Sequence, residues 1–171
     1  MKGNNTVAVI DFGSQYTQLI ARRIRELNVF SEIYNHTVTQ RELLNNNVKA
    51  IILSGGPSSV YNNDSPELDN SIFEINYPIL GICYGLQLLI QKYNGKIISS
   101  GKGEYGFEKI QIENSKCILK DFSQNSQVWM SHGDKVEGIS NEWTVLAKSS
   151  NGIVAAVKNN NRHMYGVQFH P

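Results

Sequence analysis

Gly81-Ile82-Cys83-Tyr84-Gly85 sets a thiol between glycines at −2 and +2, the spacing of a nucleophile elbow. Hydrolases of another type carry serine at its centre; cysteine here would attack a carbonyl as the thiolate. The glycines permit a sharp turn that larger side chains would block. Such a turn, coming after an apolar run, lifts the sulfur above the carboxyl end of a strand, where open α/β sheets bind ligands. It also places Cys83 at a helix N-terminus, whose unpaired amides and positive dipole end favour thiolate and predict a value below the free one of about 8.5. Elsewhere a free cysteine is commonly a small buried hydrophobe, and Cys117 is read that way.

A thiolate attacking an amide needs a base that later returns a proton to the leaving amine. Of four histidines, His36 and His163 lie in polar, loop-like surroundings and read as surface residues. His132, in Ser131-His132-Gly133-Asp134, follows the run Gln127 to Met130 and could line a pocket. His170 closes the run Met164 to Phe169, just before Pro171. The residues alone leave His132 and His170 as equal candidates. The anionic intermediate needs preorganised donors, each worth on the order of 10²–10³ in rate. The amide of Tyr84 and the Gly55-Gly56 turn are two backbone sources. Without Cys83, Gly55-Gly56-Pro57 would read as a simple turn.

Short apolar runs alternate with helical patterns through the first half. Thr6 to Ile10, Glu32 to Tyr34, Ala50 to Leu53 and Pro78 to Ile82 read as strands. Tyr16, Leu19, Ile20, Ile24 and Leu27 recur at helical spacing, and Leu86 to Ile90 continues helically to a stop near Asn94-Gly95. Thr39 with Glu42 predicts a capping box. Ser65-Pro66 predicts a further helix start. Strand and helix alternating through short links imply a parallel sheet covered on both faces. The second half is strand-rich: Lys96 to Ile98, Phe107 to Ile112, Gln127 to Met130, Thr144 to Ala147, Ile153 to Val157 and Met164 to Phe169. One α/β domain over residues 1–171, without repeat or linker, is expected.

The 171 residues, 40% hydrophobic and 18% charged, can bury a sizeable core without disulfides or metals. Sixteen basic against fifteen acidic side chains point to neither nucleic acid nor an anionic membrane. Two cysteines in unlike contexts have no metal-ligand spacing, and no apolar run approaches a membrane span. Without a secretory signal at the N-terminus, a reduced, cytoplasmic setting is expected.

Gly55-Gly56-Pro57, Gly81 to Gln87 and Val167-Gln168-Phe169-His170-Pro171 resemble, in order and rough spacing, the motifs of class I glutamine amidotransferase domains. Within that class, Asp11 to Arg23 and Trp129 to Val136 resemble the glutaminase domains of GMP synthetases, and Tyr84 favours that branch. The resemblance implies a flavodoxin-like open sheet, mostly parallel with antiparallel additions and helices on both faces. It implies Cys83 as nucleophile and His170 as base, with Gly56 and Tyr84 amides holding the oxyanion. Gln87, Ser131, His132 and Gly133 would position glutamine. No cofactor or metal is implied for this domain. ATP and Mg would serve an ATP-pyrophosphatase synthetase domain that aminates XMP, and the full-length enzyme would be a homodimer.

Two departures accompany the resemblance. The family motif continues past His-Pro with a glutamate that orients the histidine, whereas this sequence ends at Pro171. A truncated piece that folds but hydrolyses glutamine poorly is therefore expected. Gly103 also stands where the family commonly has arginine, which puts partner-facing contacts there in doubt. Two alternatives remain: the glutaminase part of another class I synthase, and a catalytically weak binding or regulatory module.

Overall fold

The computed structural model of the chain describes residues 5–171. The first half holds strands β1 (Thr6–Asp11), β2 (Phe30–Asn35), β3 (Val48–Leu53) and β4 (Ile79–Ile82), with helices α1 (Thr17–Glu26), α2 (Gln40–Asn45) and α3 (Tyr84–Lys92). The second holds β5 (Lys96–Ile112), β6 (Gln127–Gly138), β7 (Trp143–Ser149), β8 (Val154–Asn159) and β9 (Met164–Val167). All join one nine-stranded sheet in the order β2-β1-β3-β4-β9-β8-β7-β5-β6. β2, β1, β3, β4 and β9 run parallel, and the last strand of the chain thus lies against β4. From β9 outward the pairing is antiparallel. This is the expected α/β architecture: a mixed sheet with a parallel core.

Side-chain alternation explains why helices cover both faces. Ile51 and Leu53 of β3 pack with Leu43 of α2 and Leu86 and Leu89 of α3 in one cluster. Ile52 and Leu80 point the other way, into a second cluster that Ile20 of α1 also joins. Leu86 is fully buried, and burying such a side chain contributes about 1.5–3 kcal/mol. The capping box forms: Thr39 Oγ1 accepts from the Glu42 amide at 3.3 Å, and Glu42 Oε2 accepts from the Thr39 amide at 2.8 Å.

Several expectations are corrected. No α-helix starts at Ser65-Pro66. The Ser65 hydroxyl is spent as a donor to Asn62 O at 2.7 Å, and the Pro66 carbonyl accepts the Tyr84 hydroxyl at 2.6 Å. Only a 3₁₀ turn follows, Asn70–Glu74, capped by Asp69. Cys117 is exposed rather than buried, at a positive φ of 62° where a short 3₁₀ turn begins. Lys96 to Ile98 and Phe107 to Ile112 are the two ends of one long strand, β5, whose register slips between Ser99 and Glu104. β6 continues past Met130 through Ser131-His132-Gly133-Asp134. Among the described residues no helix is long and apolar enough to cross a membrane, and no cluster of three or more His, Cys, Asp or Glu could hold a metal.

Candidate active site

Cys83 links β4 to α3 with φ 52° and ψ −105°, a conformation that non-glycine residues rarely adopt. The surroundings force it. The Cys83 amide donates to Val167 O of β9 at 2.8 Å, and the Gly85 amide to Ser54 O, just past β3, at 3.1 Å. A Cβ on Gly81 would lie 2.5 Å from the Gly85 backbone, and one on Gly85 would strike Leu53 O. Backbone packing therefore requires both glycines of the elbow.

The elbow opens into a cavity of about 510 Å³ at the carboxyl ends of the parallel strands. Every predicted site residue lines it: Cys83, His170, Gly56, Tyr84, Gln87, Ser131, His132 and Gly133. A point beside Gly55, where a Cβ would sit, is 3.3 Å from His170 Cε1 and 3.6 Å from Cys83 Cβ, so the two groups share one corner. The His170 amide donates to Trp129 O at 2.9 Å, tying it to β6. Its ring lies 4.7 Å, centroid to centroid, from that of Tyr16. The sulfur has Ser131 O at 3.7 Å and Gln168 Nε2 at 3.5 Å as hydrogen-bond partners.

Burial pushes the Cys83 thiol up to about 11, against smaller opposing pulls from the Tyr84 amide and the Gln168 side chain. The expected lowering by the helix N-terminus is thus reversed, because Cys83 is 6% exposed and desolvation outweighs the donors that reach the sulfur. His170 is held below its ordinary value, first by burial and then by nearby His132. Both shifts thus disfavour the charged forms, thiolate and imidazolium, in this corner.

His132 is occupied differently. Its Nδ1 donates to Asp134 O at 2.7 Å, and its Nε2 meets Glu104 Oε2 at 3.1 Å. Glu104 Oε1 in turn accepts from Ser149 Oγ at 2.7 Å and Asn151 Nδ2 at 2.9 Å. Both ring nitrogens are therefore tied into the wall, and of the two candidate histidines only His170 has a ring turned to the cysteine's corner. Gln87, expected to hold substrate, spends Nε2 on Asp134 O at 3.3 Å and Gln168 Oε1 at 3.2 Å.

Sequence reasoning missed Glu104, Tyr16 and Gln168. Tyr16 carried only a helix-face signal. Gln168 lies inside the quoted Val167 to Pro171 run, where a polar residue in a strand otherwise buried was the available clue.

The profile of the family described as glutamine amidotransferase class-I matches residues 8–171. A GMP synthase [glutamine-hydrolyzing] of Brachyspira hyodysenteriae is 49% identical over 165 residues, covering 96% of this chain and 32% of that protein. One from Oceanobacillus iheyensis is 47% identical over 171 residues, covering 100% and 34%. The chain thus spans about a third of the length of these relatives. Among solved structures, a Thermoplasma acidophilum protein described as part of a GMP synthase superposes with a TM-score of 0.88 at 28% identity, covering 100% of this chain and 86% of that one. A Thermotoga maritima glutamine amidotransferase, 19% identical, shares the fold with a TM-score of 0.78 over 98% of this chain and 76% of its own.

Proposed function

Because the chain belongs to the class I glutamine amidotransferase family, we propose that it hydrolyses glutamine to glutamate and ammonia at Cys83. We further propose that it supplies this ammonia to a GMP synthase's amination of XMP. The observation that carries the reading is the one cavity that Cys83, His170, Gly56 and Tyr84 line together.

In this mechanism His170 takes the thiol proton as Sγ attacks the side-chain carboxamide carbon of glutamine. The oxygen becomes an oxyanion facing the Gly56 and Tyr84 amides. Collapse of the tetrahedral adduct breaks the C–N bond, and His170 returns its proton to the departing ammonia. Water, deprotonated by His170, then attacks the thioester, releasing glutamate and restoring the thiol. Gln87 and the Ser131-His132-Gly133 wall fix the substrate's orientation. ATP and Mg would act in the synthetase part, which in this reading belongs to a homodimeric enzyme. A nucleophilic free thiol fits a reducing cytoplasm.

The glutamine analogue 6-diazo-5-oxo-norleucine should label Cys83, and glutamine should protect it. With the synthetase part joined, XMP, ATP and glutamine should yield GMP and glutamate. An analogue that leaves Cys83 unlabelled would refute the glutaminase; glutamate without GMP would refute the GMP assignment.

A further inference from the structure

Gln168 follows β9 with its side chain wholly enclosed, 0% exposed. Its amide bridges two groups: Nε2 lies 3.5 Å from Cys83 Sγ, and Oε1 lies 3.2 Å from Gln87 Nε2. An amide's oxygen and nitrogen are near twins in shape, so which end faces the sulfur must follow from the network. The network has a fixed end. The Asp134 backbone carbonyl can only accept, and Gln87 reaches it at 3.3 Å, so Gln87 must present Nε2 there. That same Nε2 meets Gln168, which must therefore turn its oxygen to Gln87. Its NH₂ group is left pointing at the sulfur.

Of the sulfur's other partners, the Tyr84 amide is a donor like Gln168, and Ser131 O has opposite character. Ser131 O, at 3.7 Å, accepts the S–H of a neutral thiol but offers nothing to a thiolate. Gln168 N–H serves both forms and serves the anion better, since hydrogen bonds to an ionised group are the stronger kind. At a buried sulfur with little water to solvate developing charge, this donor replaces part of what solvent would supply.

We propose that Gln168 is the side-chain donor that, together with the Tyr84 amide, holds the Cys83 sulfur in its anionic form as it attacks, and that Gln87 is a positioning residue that locks the orientation of Gln168. The proposal rests on the reading of Cys83 as nucleophile. It gives Gln87 a task inside the wall in addition to any contact with substrate. No atom is transferred to or from Gln168; its proton stays on Nε2 while the thiol proton goes to His170.

The test is the rate of iodoacetamide alkylation at Cys83 against pH, followed by mass spectrometry of the Cys83 peptide, with exposed Cys117 as a reference in the same molecule. Titratable groups lining the cavity with Cys83 are His170, His132, Asp134, Tyr16, Tyr84 and Tyr105, all shared by parent and variants. Gln168→Met keeps the volume and removes the donor; its alkylation midpoint should rise by about one pH unit, an approximately tenfold loss of rate at fixed pH below the midpoint. Gln168→Glu turns an acceptor toward the sulfur and should raise it further. Gln87→Met, which frees Gln168 to rotate, should give a smaller rise. Cys117 should not change in any of them.

Unchanged Cys83 midpoints in folded Gln168→Met and Gln168→Glu proteins overturn the proposal. Where either Gln168 variant melts out, the Gln87→Met midpoint decides: a rise supports the lock and no shift overturns it. Alkylation by iodoacetamide needs no glutamine. If glutamine fails to protect parent Cys83, the glutaminase reading is lost while the Gln168 comparison still stands or falls on its own midpoints.

Discussion

The parallel half of the sheet and its antiparallel half contribute to the site in different ways. β4 and β9 lie side by side in parallel, so Cys83 and His170 reach the same rim because each follows the end of its strand. The antiparallel half supplies wall. β5 and β6 pair so that Glu104 stands opposite His132, which sets a carboxylate against an imidazole in the interior. In the first case position follows from strand direction and a turn. In the second it follows from register, and register here is shifted by the irregularity between Ser99 and Glu104. Under the proposed function, local motifs deliver the reagents, whereas the surface that would shape the substrate depends on long-range pairing.

Substitutions that remove a reagent should cripple chemistry and spare the fold. Cys83→Ser should lower glutamine turnover by about 10⁴-fold or more, and His170→Gln by about 10²–10⁴-fold. Glutamate release and a thermal melt on the same samples check both halves of the statement. Turnover within tenfold of the parent in Cys83→Ser would move the nucleophile elsewhere and dissolve the division.

Damage to the wall should show the reverse pattern. Glu104→Ala leaves buried His132 without its carboxylate and takes the acceptor from Ser149 and Asn151. Breaking a buried pair this way costs about 3–5 kcal/mol, or roughly 6–20 °C in Tm for a chain of this size. KM for glutamine should rise more than kcat falls, because the Ser131 to Gly133 wall moves while Cys83 and His170 stay. A loss confined to kcat would mean that the wall takes part in the chemistry.

The pH dependence of stability sharpens the comparison, since Cys83 and His170, both shifted by burial, follow parallel strands. Burial holds the Cys83 thiol up to about 11 against an ordinary 9.0, so the folded chain keeps a proton that the unfolded chain releases. The resulting stability is whole below pH 9.0 and is lost as pH rises toward about 11, at most about 3 kcal/mol. His170 runs oppositely. Its folded value lies below 6.5, so its contribution is present above pH 6.5 and is lost as pH falls. Urea unfolding from pH 5 to 11 should show both limbs. Cys83→Ala should make the alkaline one shallower, leaving the part that Tyr34, Tyr84 and Tyr93, each raised by burial, contribute. His170→Gln should do the same to the acid one; unaltered limbs would place the titration in other groups.

The two halves also differ in how far the sequence discloses them. β1, β3 and β4 are legible because a buried parallel strand reads as a short apolar run with glycine at or near its end. Cys83 was legible because two glycines at fixed offsets have few other uses. Glu104 was not, because nothing local to Lys102-Gly103-Glu104-Tyr105 indicates that His132, 28 residues away, pairs with it. The Ser65-Pro66 error has the same origin: the Tyr84 hydroxyl claims the Pro66 carbonyl from across the fold. The thiol's direction of shift was misjudged because a helix N-terminus is visible in sequence and the depth of burial is not.

The smallest expected effect tests whether the wall is continuous with the substrate site. Gly103 and Gly101 both have positive φ, 64° and 73°, in the irregular stretch of β5. A Cβ on Gly101 finds open space, while one on Gly103 would strike His132 O and come within 2.7 Å of Tyr105 Cε2. Gly101→Ala should therefore cost only conformational strain, about 1 kcal/mol, and leave KM for glutamine unchanged. Gly103→Ala adds a clash with rigid backbone, for about 1–2 kcal/mol more, and should raise KM a few-fold by displacing the His132 carbonyl. The same geometry explains why the arginine expected by family resemblance cannot enter here without moving β6. Equal costs in the two variants, with KM untouched in both, would separate the wall from glutamine binding and leave β5 a purely structural strand.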